Sequence, residues 1–318
     1  MRRTTLLIAA MALASCASAQ TYPAKPIRFL VPYAPGGSTD VVARAVAAKI
    51  QESVGQPLLV ENRPGAAEIL ATDLLAKAPP DGYTIALISN TFAINESFAR
   101  QRPYESDKDF AAVGKLVDVP FAMLVSPGLP IGSVKDLVAY ARANPGKMNY
   151  GHVGLGTPHY LTMEWFKRLA KIEAEGIGFK GTVPALTAVA QGDVHVITMG
   201  LGGATPFIRS GKVKPIASAS ARRLETLPDL PTIAEAGYAD FELTSWFGVL
   251  TRSGTPPEVV DRLSIEVVKA ITSPDLKERL AGLGLESAPL PAREFGPYIQ
   301  REIERWGRVV QATGVKSE

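Results

Sequence analysis

Ile27-Arg28-Phe29-Leu30-Val31-Pro32-Tyr33 runs without interruption into Ala34-Pro35-Gly36-Gly37-Ser38-Thr39-Asp40 and from there into Val41-Val42-Ala43-Arg44-Ala45-Val46. The first seven residues form an apolar run of strand length. From Asp40 to Val54 the apolar positions recur at helical spacing and stop at Gly55. A buried strand that turns through glycines into a helix is the opening of a crossover unit, and the same alternation continues down the chain. Leu58 to Asn62, Tyr83 to Ser89, Phe121 to Ser126, Met148 to His152, Val194 to Met199, Pro215 to Ser220 and Trp246 to Leu250 read as strands. Ala66 to Lys77, Ser133 to Ala143, Pro158 to Lys171, Val183 to Gln191, Pro256 to Ile271, Pro274 to Leu283 and Ala292 to Thr313 read as helices. Proline and glycine clusters such as Pro79-Pro80-Asp81-Gly82 and Pro145-Gly146 mark the boundaries.

This alternation predicts an α/β fold with mainly parallel sheets. No short repeat and no low-complexity linker divides it, which suggests two lobes joined by crossing strands rather than two beads on a string. The crossings are expected near Phe121 and Ser245. Residues 22–122 with 245–318 then form one lobe and residues 123–244 the other, with a ligand cleft between them.

The N-terminal residues restrict the setting. Arg2 and Arg3 precede an uncharged apolar stretch, Leu6 to Ala14, which is too short to span a membrane and reads as a secretory signal covering residues 1–19. Ala17-Ser18-Ala19 suits cleavage before Gln20, and Leu13-Ala14-Ser15-Cys16 resembles a box that precedes a lipid-modified cysteine. The expected product is exported to the periplasm, with a lipid anchor at Cys16 as the alternative. Cys16 is the only cysteine, so no disulfide within the chain is expected. Removing Arg2 and Arg3 lowers the formal charge from +3 to +1, which is no footprint for nucleic acid. About 300 residues remain, enough for one large or two ordinary domains, and a monomer is expected.

Two turns stand out chemically. Gly36-Gly37-Ser38-Thr39-Asp40 places free backbone N–H groups at a helix N-terminus, where the macrodipole favours an anion. Gly151-His152-Val153-Gly154-Leu155-Gly156-Thr157-Pro158-His159 repeats the device in the other predicted lobe, with Thr157 suited to the N-cap and Pro158 to the first helical position. Each glycine pair alone also fits a plain strand-to-helix turn. Together they suit a carboxylate approached from both sides. Asp40 at the first helical turn complements the macrodipole or orders a bound water.

Catalytic patterns are missing from the sequence: it has no G-x-S-x-G elbow, no phosphate-binding G-x-x-x-x-G-K-[ST] loop and no H-E-x-x-H, and Gly154-Leu155-Gly156 lacks the third glycine of a dinucleotide fingerprint. His152, His159 and His195 have no metal-ligand spacing, so neither a metal nor a cofactor is expected. His195 reads as a structural residue, and Trp165, Phe166 and Trp306 as core. Trp246 and Phe247 fall near the return crossing, where they would line a cleft and stack on a ring-bearing ligand. An exported hydrolase or isomerase using Asp40 or a histidine is the weaker reading, because no nucleophile-base pair supports it.

An ordered series of segments resembles the extracytoplasmic solute receptors of tripartite tricarboxylate transporters, the Bug family. It comprises Tyr22 to Ile27, Val31 to Asp40, Glu61-Asn62-Arg63-Pro64-Gly65-Ala66, Pro80 to Thr84, Asp109-Phe110, Leu186 to Asp193, Leu227 to Gly237, Ser245 to Gly248 and Gly254 to Pro257. The resemblance implies a two-lobed periplasmic binding protein, a type II-like flytrap without enzyme activity. Such a protein hands a small carboxylate (a dicarboxylate, aromatic carboxylate or amino acid) to a membrane permease; a role as a ligand sensor docking on a signalling partner is the alternative. It implies ligand contacts from the two glycine turns, and the candidate contact set is Tyr33, Gly36, Gly37, Ser38, Thr39, Asp40, Ala66, Asn90, Gly154, Gly156, Thr157, His159 and Phe247.

Two departures from the family pattern bear on the ligand. Ala67-Glu68-Ile69 replaces the usual glycine-glycine-asparagine, and Gly200-Leu201-Gly202-Gly203 replaces a more polar stretch. Glu68 reads as a solvated helix residue, the alternative being a cleft-facing acid that favours a ligand with an amine.

Overall fold

The computed structural model of the chain describes residues 22–99, 101–224, 226–239 and 241–315. The secretory signal and Cys16 lie outside the described residues. Strands β1 to β10 are Ile27–Val31, Leu58–Asn62, Thr84–Ser89, Phe110–Val125, Asn149–His152, Glu175–Gly178, Val196–Gly200, Lys214–Ser218, Thr244–Arg252 and Glu286–Pro291. Helices α1 to α10 are Ser38–Val54, Ile69–Ala76, Asn90–Phe98, Val134–Ala143, Pro158–Ala170, Thr182–Gln191, Leu201–Arg209, Pro257–Thr272, Pro274–Gly282 and Ala292–Thr313.

β4 organises the molecule. Its first part, Phe110 to Pro120, pairs with β9 and with β10 in a sheet that continues from β9 through β3 and β1 to β2. From Phe121 to Val125 the same strand pairs with β7 and β8, in a sheet that continues through β5 to β6. The chain returns through Leu243, whose N–H donates to the carbonyl of Ala219 just past β8, before β9 pairs from Thr244 onward with the first sheet. Among the strands, parallel pairing joins β1–β2, β1–β3, β5–β6 and β5–β7, with one isolated parallel bridge between Ser218 and Thr232, and every strand pair made by β4 or β9 is antiparallel. The architecture is therefore mixed α/β rather than mainly parallel. A strand that leaves a lobe and one that comes back run in opposite senses, so the crossing itself imposes antiparallel pairing.

β6 and β10 are strands that the hydrophobic pattern does not mark, and three further elements depart from it for identifiable reasons. β4 begins at Phe110 instead of Phe121, because two register shifts, between Ala112 and Gly114 and between Lys115 and Val117, break the period of two. Lys115 in that stretch is only 5% exposed. Its ammonium meets Asp118 at 2.6 Å and lies 4.8 Å from the Tyr298 ring centroid, which compensates a charge that reads as a strand breaker. α3 follows β3 without a loop, since Ser89 ends the strand and also caps the helix by accepting from the Thr91 N–H. α7 carries Pro206 inside it, at a place where the sequence reads as a terminus.

Trp246 is fully buried on the closed face of β9, away from any cleft. Its Nε1 donates to Glu302 Oε2 at 2.8 Å, and its ring packs edge-on against Phe295 and Tyr298 of α10. The indole is a core anchor, and its burial comes from α10 packing back over β9 and β4.

Candidate functional site

The parallel strands β1, β2 and β3 all point their C-terminal ends toward the crossing, and the loops that leave them form one wall, the position where open α/β sheets bind ligands. After β1, Gly36 adopts φ +85° and Gly37 occupies the N-cap of α1 without a side-chain cap, so the first-turn amides of α1 have no intrahelical partner. Asp40, 4% exposed, holds this turn in shape. Its carboxylate accepts from the Gly36 N–H at 3.0 Å, from Arg44 Nε at 3.1 Å and from Asn62 Nδ2 at 2.9 Å. Asn62 Nδ2 also reaches the Tyr33 carbonyl. Burial pulls the Asp40 pKa up, but Arg44, Gly36 and Asn62 together outweigh it and keep the group below its ordinary value. Asp40 thus braces the glycine turn before α1 with its carboxylate committed to that turn.

The corresponding turn follows β5, in the sheet that β5 shares with β7. Gly154 and Gly156 adopt φ +137° and +72°. Thr157 sits at the N-cap of α5 and Pro158 follows, but the Thr157 hydroxyl donates back to the Gly154 carbonyl at 2.6 Å instead of capping the helix. His159 packs on Phe121 with ring centroids 5.1 Å apart, and its Nδ1 is shut off from solvent without a hydrogen-bond partner among the described residues. Burial, with a smaller contribution from His152, lowers its pKa to about 3. Asn90 Nδ2 and Thr198 Oγ1 are also buried without a partner, while Asn90 Oδ1 accepts from Ser245 Oγ at 2.6 Å. Thr198 pairs with Met123 in β4, two residues from Phe121, so it shares the face on which His159 stacks. No sequence motif marks Thr198. His195 is bound through Nδ1 to Asn149 and is structural.

The two walls touch. A Cβ built on Gly202 of α7 would lie 2.9 Å from Ser38 Oγ and 2.8 Å from Leu285, both of the first lobe. One on Gly156 would lie 2.5 Å from the Phe98 ring. Thr205 Oγ1 donates across the same boundary to the Leu283 carbonyl at 3.2 Å. α7 and the start of α1 are therefore in close contact, with Ser38, Thr182 and the α7 glycines at the seam. The Gly200 to Gly203 stretch is a departure from the family pattern in the sequence, and the fold shows its use as a close-approach surface.

Glu68 corrects the sequence reading most sharply. It is 1% exposed, not solvated. The Ser89 hydroxyl donates to its Oε1 and the Ser89 N–H to Oε2 at 3.2 Å, so the carboxylate sits at the N-terminus of α3. Tyr33, whose hydroxyl lies 3.1 Å from Thr91 Oγ1, also faces it. Ala66, Ala67 and Glu68 adopt φ of +45°, +47° and +73°, three successive left-handed residues without a glycine, each costing about 1–2 kcal/mol. This is why α2 starts at Ile69 rather than at Ala66. The loop is held by Asn95 Nδ2 on the Ala67 carbonyl and by Thr72, whose N–H and hydroxyl donate to the Glu68 carbonyl. Phe247, 6% exposed, pairs with Ser89 in the β3–β9 ladder and so lies on the Glu68 side of the sheet.

Glu68 and His159 act in opposite directions on stability. Burial raises the Glu68 pKa from 4.5 to about 7 against the opposing hydrogen bonds. The stabilisation from its bound proton is complete below about pH 4.5 and is lost as pH rises to about 7, a change of roughly 3 kcal/mol. His159, held at about 3 against an ordinary 6.5, contributes fully above pH 6.5 and loses its contribution as pH falls. His152 and His195, also lowered by burial, add to that acid-side loss. The expected result is that Glu68→Gln steepens the rise of melting temperature with pH between about 4.5 and 6.5, and that His159→Asn flattens it. Thermal melts across this range decide it, and an unchanged slope in Glu68→Gln rules out titration of Glu68 there.

Residues 42–315 match the model of the tripartite tricarboxylate transporter family receptor. Protein BugT of Bordetella pertussis is 35% identical over 313 residues, covering 98% of this chain and 96% of BugT. Among solved structures, R. palustris Rpa4515 with adipate superposes with a TM-score of 0.89 at 33% identity, covering 93% of this chain and 99% of that one. The periplasmic binding protein BugD gives 0.87 at 32% identity, with 93% and 100% covered. MatC from Rhodopseudomonas palustris with bound malate gives 0.84 at 32%, with 91% and 100% covered.

Proposed function

The chain belongs to the tripartite tricarboxylate transporter receptors of the Bug family, and from that membership we propose that it is a periplasmic solute-binding receptor which closes on a small carboxylate and presents it to a membrane permease. The observation that carries the reading is a pair of uncapped helix N-termini, α1 behind Gly36-Gly37 and α5 behind Gly154-Gly156, on elements of the two sheets, which come into contact at Ser38 with Gly202 and at Phe98 with Gly156. Free amides and the positive end of each macrodipole favour a carboxylate there, by up to about 2 kcal/mol per helix when partly buried. Asn90 Nδ2, a buried donor without an acceptor among the described residues, suits the same anion. The adipate and malate held by two related structures support a carboxylate as the ligand class.

Ser38, Thr39, Gly36, Gly37 and Tyr33 form the first wall of the proposed site, Gly154, Gly156, Thr157 and His159 the second, with Ala66, Asn90 and Phe247 beside the first. Residues 22–122 with 245–318 and residues 123–244 serve as the moving bodies. Closure occurs by bending where β4 changes sheets at Pro120-Phe121 and where the chain returns at Leu243-Thr244.

The test is thermal stability of the exported protein, freed of carried-over solute by unfolding and refolding, against a panel of mono-, di- and amino-carboxylates, followed by calorimetry. A saturating ligand at 100 times its Kd stabilises by about 2.7 kcal/mol. The expected outcome is a shift confined to one chemical class, with the ligand recovered unchanged. Conversion of the ligand, or no binding by a correctly folded protein across the panel, overturns the reading.

A further inference from the structure

We infer that Glu68 is the counter-ion for a ligand ammonium group, so that the receptor selects a zwitterionic amino-carboxylate over a plain or dicarboxylic acid. The inference rests on the carboxylate-receptor reading and assigns its ligand subclass.

The surroundings of Glu68 are unbalanced in charge. Glu68 is buried beyond the C-terminal ends of β1, β2 and β3, in the wall proposed for the ligand, and no Lys, Arg or His pairs with it among the described residues. Its partners are the Ser89 hydroxyl and N–H and the Tyr33 hydroxyl, all neutral donors. The titratable groups that face it from other elements are Tyr33 and Tyr104, phenols kept neutral by burial; Tyr104 lies in turn beside Arg102 and Glu96. An acid buried without a cation is costly and loses its charge readily, and a cation brought by the ligand restores the balance.

The second observation is placement. The acid already occupies the N-terminus of α3, so this helix end is closed to a ligand anion, whereas the end of α1 in the same wall is open. One residue beyond Ser89, Asn90 offers a buried donor with no acceptor among the described residues. The wall thus sets an acceptor that lacks a cation beside donors that lack an anion, the complement of an ammonium-carboxylate pair. A second ligand carboxylate near Glu68 meets like charge instead. The third observation is the left-handed run from Ala66 to Glu68, which presents the side chain inward and persists here without glycine.

The experiment compares, by calorimetry at about pH 7.5, matched pairs of probes that differ only in the amine: 4-aminobutyrate with butyrate, glutamate with glutarate, and aspartate with succinate. The wild-type protein is expected to bind the amine-bearing member of at least one pair 10-fold or more tighter, and Glu68→Gln and Glu68→Gly to bring that pair within threefold. Glu68→Gly serves as the folding control, since φ +73° suits glycine. Buffers of different ionisation heat should reveal proton release on binding near pH 6.5 in the wild type and none in either variant. Carboxylate binding without an amine preference, or a preference that survives both substitutions, overturns this inference and leaves the receptor reading standing. Absence of binding by every carboxylate overturns both.

Discussion

A Gly202→Val variant binds its ligand at least about 100-fold more weakly than the wild type, a loss near 2.7 kcal/mol, while its ligand-free melting temperature stays within a few degrees. Gly202 lies in the first turn of α7 and is not among the positive-φ residues, so its backbone makes no demand for glycine. A valine is therefore accepted by its own lobe. The other lobe cannot accept it in the closed form. The first added carbon already lies 2.9 Å from Ser38 Oγ, 3.1 Å from Ser38 Cβ and 2.8 Å from Leu285 Cδ2. The branched methyls push further into α1, whose start is fixed by the Asp40 brace. Since closure and binding are one equilibrium, a wedge that disfavours closure lowers apparent affinity by the same factor. Calorimetry gives the affinity, and small-angle scattering should show that ligand no longer contracts the variant. Wild-type affinity in a folded Gly202→Val protein would remove the α7 glycines from the closing surface.

Gly248→Ala is expected to destabilise the protein by about 3 kcal/mol or more, the upper range for overpacking, and to lower its melting temperature by roughly 6 °C. A methyl at Gly248 would sit 2.1 Å from Phe295 Cζ and 2.6 Å from Cε1. Neither partner has room to yield. Gly248 lies in the middle of β9, paired with Ile88 on one side and Lys115 on the other, so the strand cannot retreat. Phe295 is fully buried against Trp246 and Tyr298, and Trp246 is tied to Glu302. The cause is tested by a double-mutant cycle with Phe295→Leu. That change destabilises the wild type but relieves the alanine variant, giving a coupling above about 1 kcal/mol. Additive losses in denaturant melts would place the strain elsewhere.

These two glycines illustrate where sequence reading ends. Gly248 reads as one letter of Ser245-Trp246-Phe247-Gly248, and Gly202 as part of an apolar departure from the family pattern. Neither carries a local signal, because both are fixed by a side chain distant in the chain, Phe295 in one case and Ser38 in the other. Gly36, Gly154 and Gly156 were different. Their positive φ follows from a strand-to-helix turn that the local order of residues announces, which is why both glycine turns are legible without coordinates.

Trp246 and Glu68 are the instructive errors. Placing Trp246 by a cleft is reasonable from its nearness to the crossing, but side chains alternate along a strand, and α10 decides which face is covered. Glu68 follows a loop and precedes a helical pattern, where an acid is ordinarily solvated. Only the three-way convergence of the loops after β1, β2 and β3 encloses it, and only that enclosure moves its pKa toward 7.

By itself the sequence determined the alternation of strands and helices, the two glycine turns and the resemblance to a receptor family, because these depend on periodicity, punctuation and ordered motifs within short stretches. Tertiary structure alone decided that β4 belongs to both sheets, that the pairing around the crossing is antiparallel, that Ser38 meets Gly202 and that Glu68 is buried without a cation among the described residues. Those properties arise from contacts between residues tens to hundreds of positions apart, and burial, charge compensation and steric fit have no value until the chain brings such residues together.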